Sequence, residues 1–345
     1  MVSAAESTTI SSSLPTKILF NKDGISLFAT ALPTSDEGGN EGNVAAAGND
    51  DGPDDDQHEG IILTLTLRRC HEKNVINPTM ISLLIQALDT IDSNPMLANT
   101  NNKSMIITGL SLDGNDNEPS LSKFFSNGLD LEWMLRANDN DTSGKDGKES
   151  FRSMELGARK EPKSNPTSTL IESFNSLVLA RILTLPFRTV AAINGHCIGA
   201  GLFLALACDY RIMRTKRGFL QWPEARLGMR LTKGFAELSK AKVGNGRGGM
   251  STTDHHVLRE GLLTAKKYAS TEALLSGIID AEYPVEQLYS HAFQLAREGL
   301  PESPSGMNLE YFDPKAYAEM KIEMYTDAYR ALKFGKVADP PQSRI

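Results

Sequence analysis

Gly199-Ala200-Gly201 stands where an apolar strand-like run gives way to a helix-like one, in the stretch AAINGHCIGAGLFLALACDYRIM (residues 191–213). Three known uses of a strand, glycine turn and helix can be tested on its letters. A phosphate-cradling loop needs Lys followed by Ser or Thr at the helix start, and here Leu202-Phe203-Leu204 follows. A dinucleotide fingerprint needs a third small residue where Leu204 stands, and a nucleophile elbow needs Ser where Ala200 stands. What is left is a helix N-terminus whose backbone N–H groups small residues leave bare, a place that favours negative charge. A tight turn for packing fits the same letters. His196 adjoins the turn, but no Ser or Cys stands at a spacing that identifies a nucleophile partner.

The elements that must position this turn belong to a chain of 345 residues, long enough for one large domain or two modest ones. Its formal charge of -7 comes from residues 31–60, which hold nine acids and no Lys or Arg; subtracting that -9 leaves +2. The acidity therefore reads as one solvated Gly- and Asp-rich loop, and nothing points to nucleic acid. Cys70, Cys197 and Cys208 form no CxxC pair and have no His cluster beside them, which implies a reducing compartment and no metal. The first 16 residues have neither a basic start nor an apolar run, and no apolar segment approaches the roughly 18 residues of a membrane span. The last three residues, Ser343-Arg344-Ile345, have the small, basic, aliphatic order of a peroxisomal address read by an import receptor; a frayed tail is the alternative.

Periodicity predicts strand, turn and strand over KILFNKDGISLFATAL, and a further strand in GIILTLTLRR. Asn77-Pro78 caps a helix with Ile81, Leu84, Ile85 and Leu88 on one face. A strand over 104–110, a helix from about 168 to Pro186 and a strand over Thr189–Ile193 follow, with polar loops at 111–120 and 137–167. Beyond residue 234 the pattern turns mostly helical. The rhythm of strand, strand and helix predicts an α/β core with a helical C-terminal part.

LRRCHEKNVINPTMISLLIQALD, FFSNGLDLEWM, INGHCIGAGLFLALACDYRIM and GFLQWPEARLGM, in that order, resemble the enoyl-CoA hydratase/isomerase (crotonase) family. The resemblance spans about residues 60–285. KFFSNGLDL and the Arg-Gly-Phe-Leu before Glu224 look most like its peroxisomal Δ3,Δ2-enoyl-CoA isomerases. The family likeness implies a spiral of ββα repeats over residues 17–235, from whose compact pattern the longer loops at 36–59 and 137–167 depart. It further implies a C-terminal helical oligomerisation region over 236–335 and a homotrimer or hexamer, while residues 1–16 read as a disordered start and 336–345 as a tail. The implied partner is an acyl-CoA thioester, and the implied reaction needs no cofactor or metal. The implied location is the peroxisome, with cytoplasm or mitochondrion as alternatives.

By the same resemblance, the backbone N–H groups of Leu129 and Ala200 hold the thioester carbonyl as an oxyanion hole, and Glu224 is the proton carrier. Family hydratases use two glutamates. The position of the first is Phe203 here, which neither donates nor accepts a proton, so the implied reaction is a double-bond shift by Glu224 alone. Hydration, or binding without catalysis, remains as the alternative. Trp222-Pro223-Glu224 also fits a plain helix start. Gly128, Asp130, Gly199, Gly201, Phe203, Trp222 and Leu227 are expected around the substrate, with the apolar ones raising the pKa of Glu224 if they share its pocket. Arg68, Arg69 and Lys73 lie where the resemblance suggests CoA contacts, although a solvated strand end fits them equally.

Overall fold

In the computed structural model the described residues are 14, 16–32, 60–98, 100, 102–110, 123–141, 165–243, 256–298 and 313–336. The acidic stretch at 33–59, residues 111–120 and the C-terminal Ser343-Arg344-Ile345 lie outside them, as do residues 142–164 of the second polar loop. The flanks of that second loop are helical rather than irregular, because Asp130 and Asn165 each accept from a backbone N–H of the helix they open.

The larger sheet runs in the order β1-β2-β3-β4-β6-β8-β11. Its strands are β1 (Thr16–Lys22), β2 (Ile25–Leu32), β3 (Gly60–Leu67), β4 (Lys103–Thr108), β6 (Arg188–Ile193), β8 (Tyr210–Arg214) and β11 (Ala281–Tyr283). The first three strands pair antiparallel, and every pairing from β3 onwards is parallel. A second sheet, β10-β9-β7-β5, is built from β5 (Phe124–Ser126), β7 (His196–Ile198), β9 (Leu220–Gln221) and β10 (Lys267–Tyr268).

The helices are α1 (Pro78–Ser93), α2 (Pro95–Ala98), α3 (Leu131–Asp141), α4 (Pro166–Ser173), α5 (Ala180–Leu183), α6 (Ala200–Ala207), α7 (Glu224–Leu227), α8 (Lys233–Lys242), α9 (His256–Leu258), α10 (Ser270–Leu275), α11 (Val285–Glu298), α12 (Pro314–Met324) and α13 (Thr326–Phe334). Asn77 caps α1 by accepting from Met80 N–H, as its Asn-Pro start predicts, and Ile81, Leu84 and Leu88 are buried while Ile85 is only partly so. The helix expected from residue 168 starts two residues earlier, at Pro166 after the Asn165 cap. It carries a π-helical turn over Phe174–Leu179 that no letter pattern announces.

β3 shows how the layers close. Its Thr64 and Thr66 alternate with leucines, a pattern that suggests one solvated face, yet every residue of the strand is buried. The leucine face joins the core beneath α1, while Ile62 joins a second cluster under α11, where Thr64 bonds the Tyr289 hydroxyl at 2.9 Å. The C-terminal part is accordingly woven into the core: β10 and β11 extend the two sheets, and α11 covers one face of the larger one. Lys321 of α12 is buried against Asp209 at the start of β8, Nζ to Oδ2 being 2.7 Å.

Candidate active site

Two turns from different sheet connections meet beside one carboxylate. The first follows β5. Ile76 pairs as an isolated parallel bridge with Leu129, donating its N–H to Gly128 C=O at 2.7 Å and accepting from Asp130 N–H at 3.0 Å. In a planar trans peptide the N–H points opposite to the C=O. The peptide that joins Gly128 to Leu129 therefore aims the Leu129 N–H away from Ile76.

The second turn opens α6. Gly199 has φ 50° and ψ -120°, a conformation reserved for glycine, and its N–H is held by Gln221 C=O of β9 at 3.0 Å. Gly201 packs on Ser126 so tightly that a Cβ there would fall 2.6 Å from the serine Cβ. Each glycine is thus required for a different reason, one by backbone conformation and one by contact. Between them Ala200 presents its N–H at the positive end of the α6 dipole.

The turns touch. A Cβ built on Gly128, whose φ is 87°, would lie 2.7 Å from Ile198 carbonyl oxygen and 3.3 Å from Ala200 nitrogen. Among the described residues neither Leu129 N–H nor Ala200 N–H donates to another protein group. Two bare donors sit side by side, which polar groups at a buried place tolerate only with a partner.

Glu224 completes the arrangement. A Cβ on Gly199 would sit 3.8 Å from Glu224 Oε1, and 3.4 Å from the ring of Pro223, so the Pro-Glu step lies directly against the glycine turn. Burial pushes the Glu224 carboxyl up from 4.5 to about 7, opposed by its own backbone N–H. Oε2 is shut off from solvent and has no hydrogen-bond partner among the described residues. Among the described residues no charged neighbour contributes to the shift.

The enoyl-CoA hydratase/isomerase family model matches residues 154–310, from ahead of α4 to beyond α11. The peroxisomal enoyl-CoA delta isomerase 2 of Arabidopsis thaliana is 36% identical over 166 residues, covering 48% of this chain and 57% of that protein. Enoyl-CoA delta isomerase 3 of the same plant is 36% identical over 159 residues, covering 46% of this chain and 53% of its own length. The chain thus spans about half the length of these curated relatives. The human mitochondrial delta3-delta2-enoyl-CoA isomerase superposes with a TM-score of 0.54 over 78% of this chain and 81% of that one, at 19% identity, a likeness of fold. Over residues 154–310 the chain is similar to the enoyl-CoA hydratase/isomerase family. Its fold is the crotonase spiral with helices at the C-terminal end.

The remaining positions singled out in the sequence divide. Gly128, Leu129, Gly199, Ala200 and Glu224 converge as described, with Gly201 supporting them from behind. Phe203 is fully buried and stacks face to face on Phe235 of α8, ring centres 4.0 Å apart. Trp222 points away from the glycine turn: its indole N–H donates to Ser239 at 3.3 Å, Gly261 packs on its ring, and Tyr268 meets it edge-on at 6.2 Å. It anchors the end of β9, from which the chain turns through Pro223 to Glu224 at the start of α7, in the core. Leu227 ends α7, one turn beyond Glu224. Asp130 spends its carboxylate on Trp133 N–H at 3.0 Å and on Asn77 at 3.4 Å, as the cap of α3.

Arg68, Arg69 and Lys73 lie together after β3. Arg68 donates to Ser26 at 3.1 Å, and Arg69 pairs with Glu72 at 2.7 Å while packing over Gly24. Lys73 is exposed, in a left-handed conformation, its ammonium 5.8 Å from the Phe124 ring. His196 is wedged between Phe124 and Phe219, ring centres 5.0 and 4.4 Å away, and burial and the nearby Arg217 and Lys267 charges hold it below its ordinary pKa. Cys197 and Cys208 are buried thiols in the core.

Sequence reasoning missed Asn74 and Ser126. Asn74 is buried with φ 50°, and its amide donates to the carbonyls of Leu67, Phe124 and Phe125, tying the end of β3 to β5. Its signal was the Lys73-Asn74 pair after a strand, since Asn tolerates the left-handed region. Ser126 stood inside the quoted FFSNGLDL, but nothing in spacing gave its hydroxyl a task.

Proposed function

We propose that this protein is an enoyl-CoA isomerase that moves the double bond of a 3-enoyl-CoA to the trans-2 position. One observation carries the reading: an isolated, half-buried carboxylate with a pKa near 7 faces a turn where two unpaired backbone N–H groups adjoin. The thioester carbonyl oxygen accepts from Leu129 and Ala200. Glu224 takes a proton from C2, the C–H electron pair becomes the enolate, and the charge falls on that oxygen. Preset donors there stabilise the charge without reorganising. The electrons then shift to make the C2–C3 double bond as C4 takes the proton back from Glu224, and no atom is gained or lost. A group that must be first base and then acid works best with a pKa close to the working pH.

Phe203 in place of a second carboxylate favours this reaction over hydration. Arg68, Arg69 and Lys73 are the cations proposed to meet the CoA phosphates. The peroxisomal names of enoyl-CoA delta isomerases 2 and 1 of Arabidopsis thaliana support the peroxisome as the place of action, within fatty-acid breakdown. A trimer or hexamer is the assembly proposed from the family resemblance.

The test is turnover of trans-3-hexenoyl-CoA, followed by appearance of the conjugated thioester, for the protein and for Glu224→Gln. Strong activity that falls by about 100- to 10,000-fold in the variant, with little hydration of trans-2-enoyl-CoA, is the expected result. Binding of the ester without turnover by either protein would reduce the site to a holding site, and fast hydration would make the protein a hydratase.

A further inference from the structure

The turn that carries Leu129 and the helix that begins at Ala200 share one fully buried side chain, Ser126. Its hydroxyl donates to Asn74 C=O at 2.7 Å and accepts from Gly128 N–H at 3.2 Å. On its other flank it packs on Gly201, where a Cβ would fall 2.8 Å from Ser126 Oγ. A hydroxyl has one proton to give and lone pairs to receive, and both capacities are engaged across two chain segments here.

We propose that Ser126 is a positioning residue that holds the Leu129 and Ala200 donors in register. The proposal rests on the reading of this site as one that stabilises an enolate. Gly128, at φ 87°, is the joint about which the peptide carrying the Leu129 N–H can swing, since glycine resists rotation there less than any other residue. Its C=O is tied to Ile76 and its N–H to Ser126, so both sides of the joint are fixed. The second tie is anchored in turn by Asn74, whose own amide makes three bonds to backbone carbonyls. Through Gly201 the same serine also sets how closely α6 approaches. Donors aimed at developing charge act only while their direction is preset.

Ser126→Ala keeps the Cβ and its packing on Gly201 and removes the hydroxyl alone. Two readouts are needed: kcat and KM on trans-3-hexenoyl-CoA, and the near-ultraviolet titration of bound acetoacetyl-CoA, whose C2 proton leaves to give an absorbing enolate without product formation. The expected result is a kcat lower by about 10- to 100-fold, a KM within roughly threefold, and ionisation of the bound ketoester weakened by about the same factor as kcat. Ser126→Cys, a weaker donor of similar size, falls between, and carries the test should the alanine variant not fold. Ile106→Val, in the other core cluster, supplies a comparable loss of thermal stability and leaves both readouts unchanged. A wild-type kcat and ketoester ionisation in Ser126→Ala overturns the proposal while the enolate reading stands. A wild-type protein that neither isomerises the ester nor promotes ketoester ionisation overturns the enolate reading and this proposal with it.

Discussion

Gly128 and Ala200 come from turns far apart in the chain, yet a Cβ on the glycine would lie 3.3 Å from the alanine nitrogen and 2.7 Å from Ile198 carbonyl oxygen. Since that carbonyl is backbone, the clash has no soft side chain to relieve it. Gly128→Ala is expected to cost about 1–3 kcal/mol in strain and to lower kcat by more than tenfold, by pushing the turns apart. Gly228 also has a positive φ, 64°, but nothing lies within 4 Å of its missing Cβ. Gly228→Ala should show the backbone cost alone, about 1 kcal/mol, in chemical denaturation. Equal stability losses in the two variants, with equal activity, would contradict the proximity argument.

The pH dependence of Glu224 has two opposite signs. Proton abstraction needs the ionised form, so kcat/KM should rise with pH through an inflection near 7 and then level off. Stability runs the other way. The folded pKa of about 7 lies above the ordinary 4.5, so the native state holds a proton that the unfolded state has lost, and stability falls as pH rises across that window. Glu224→Gln should abolish this decline in the thermal midpoint between about pH 5 and 7 while removing activity. A rate profile flat from pH 5.5 to 8.5 would sink the assignment of Glu224 as base.

Much of this site was legible because glycines are demanded by geometry that leaves few alternatives. Gly199 and Gly201 read as a bare helix start, and the structure gives one a glycine-only conformation and the other a contact with Ser126. Three things were hidden. Trp222 close to Glu224 in sequence suggested a shared pocket, but the chain leaves β9 and turns at Pro223 into α7 between them, and the indole went to Ser239. The two-sided burial of β3 depends on α11, more than two hundred residues later, which local alternation cannot report. The strands β10 and β11, of two and three residues, are too short for a period to register, so the C-terminal part read as helical.

Asp209 closes the chain's C-terminal helices onto this core. Its carboxylate accepts from Thr189 N–H and hydroxyl, from Tyr317 and from Lys321, whose ammonium also donates to the carbonyls of Leu185 and Phe187. Because Lys321 is almost wholly buried, Asp209→Ala leaves a charge without its counter-ion, and about 3–5 kcal/mol should be lost in denaturant unfolding. Adding Lys321→Met should restore part of that loss, since it is the orphaned ammonium that costs most. A double variant less stable than the single would refute this.

Lys242, at the end of α8, is the opposite case, a buried amine that among the described residues makes no salt bridge. Its ammonium lies 3.2 Å from the Tyr325 hydroxyl and 4.3 Å from the centre of that ring. Burial drives it down from 10.5 to about 7; Arg211 and Lys321 reinforce this, and Asp209 and Cys208 oppose it. Between those two values the unfolded chain holds a proton that the native protein has released, so stability should climb as pH rises from about 7 to 10.5. The penalty is full below 7, where both states are charged. Lys242→Met, of similar length and without the charge, should therefore be more stable than the parent by about 1–4 kcal/mol at pH 6.5, with a smaller gain at pH 9. Denaturant melts at the two pH values decide it: a variant weaker at pH 6.5 would mean that Tyr325 and Asp209 more than repay the desolvation of the ammonium.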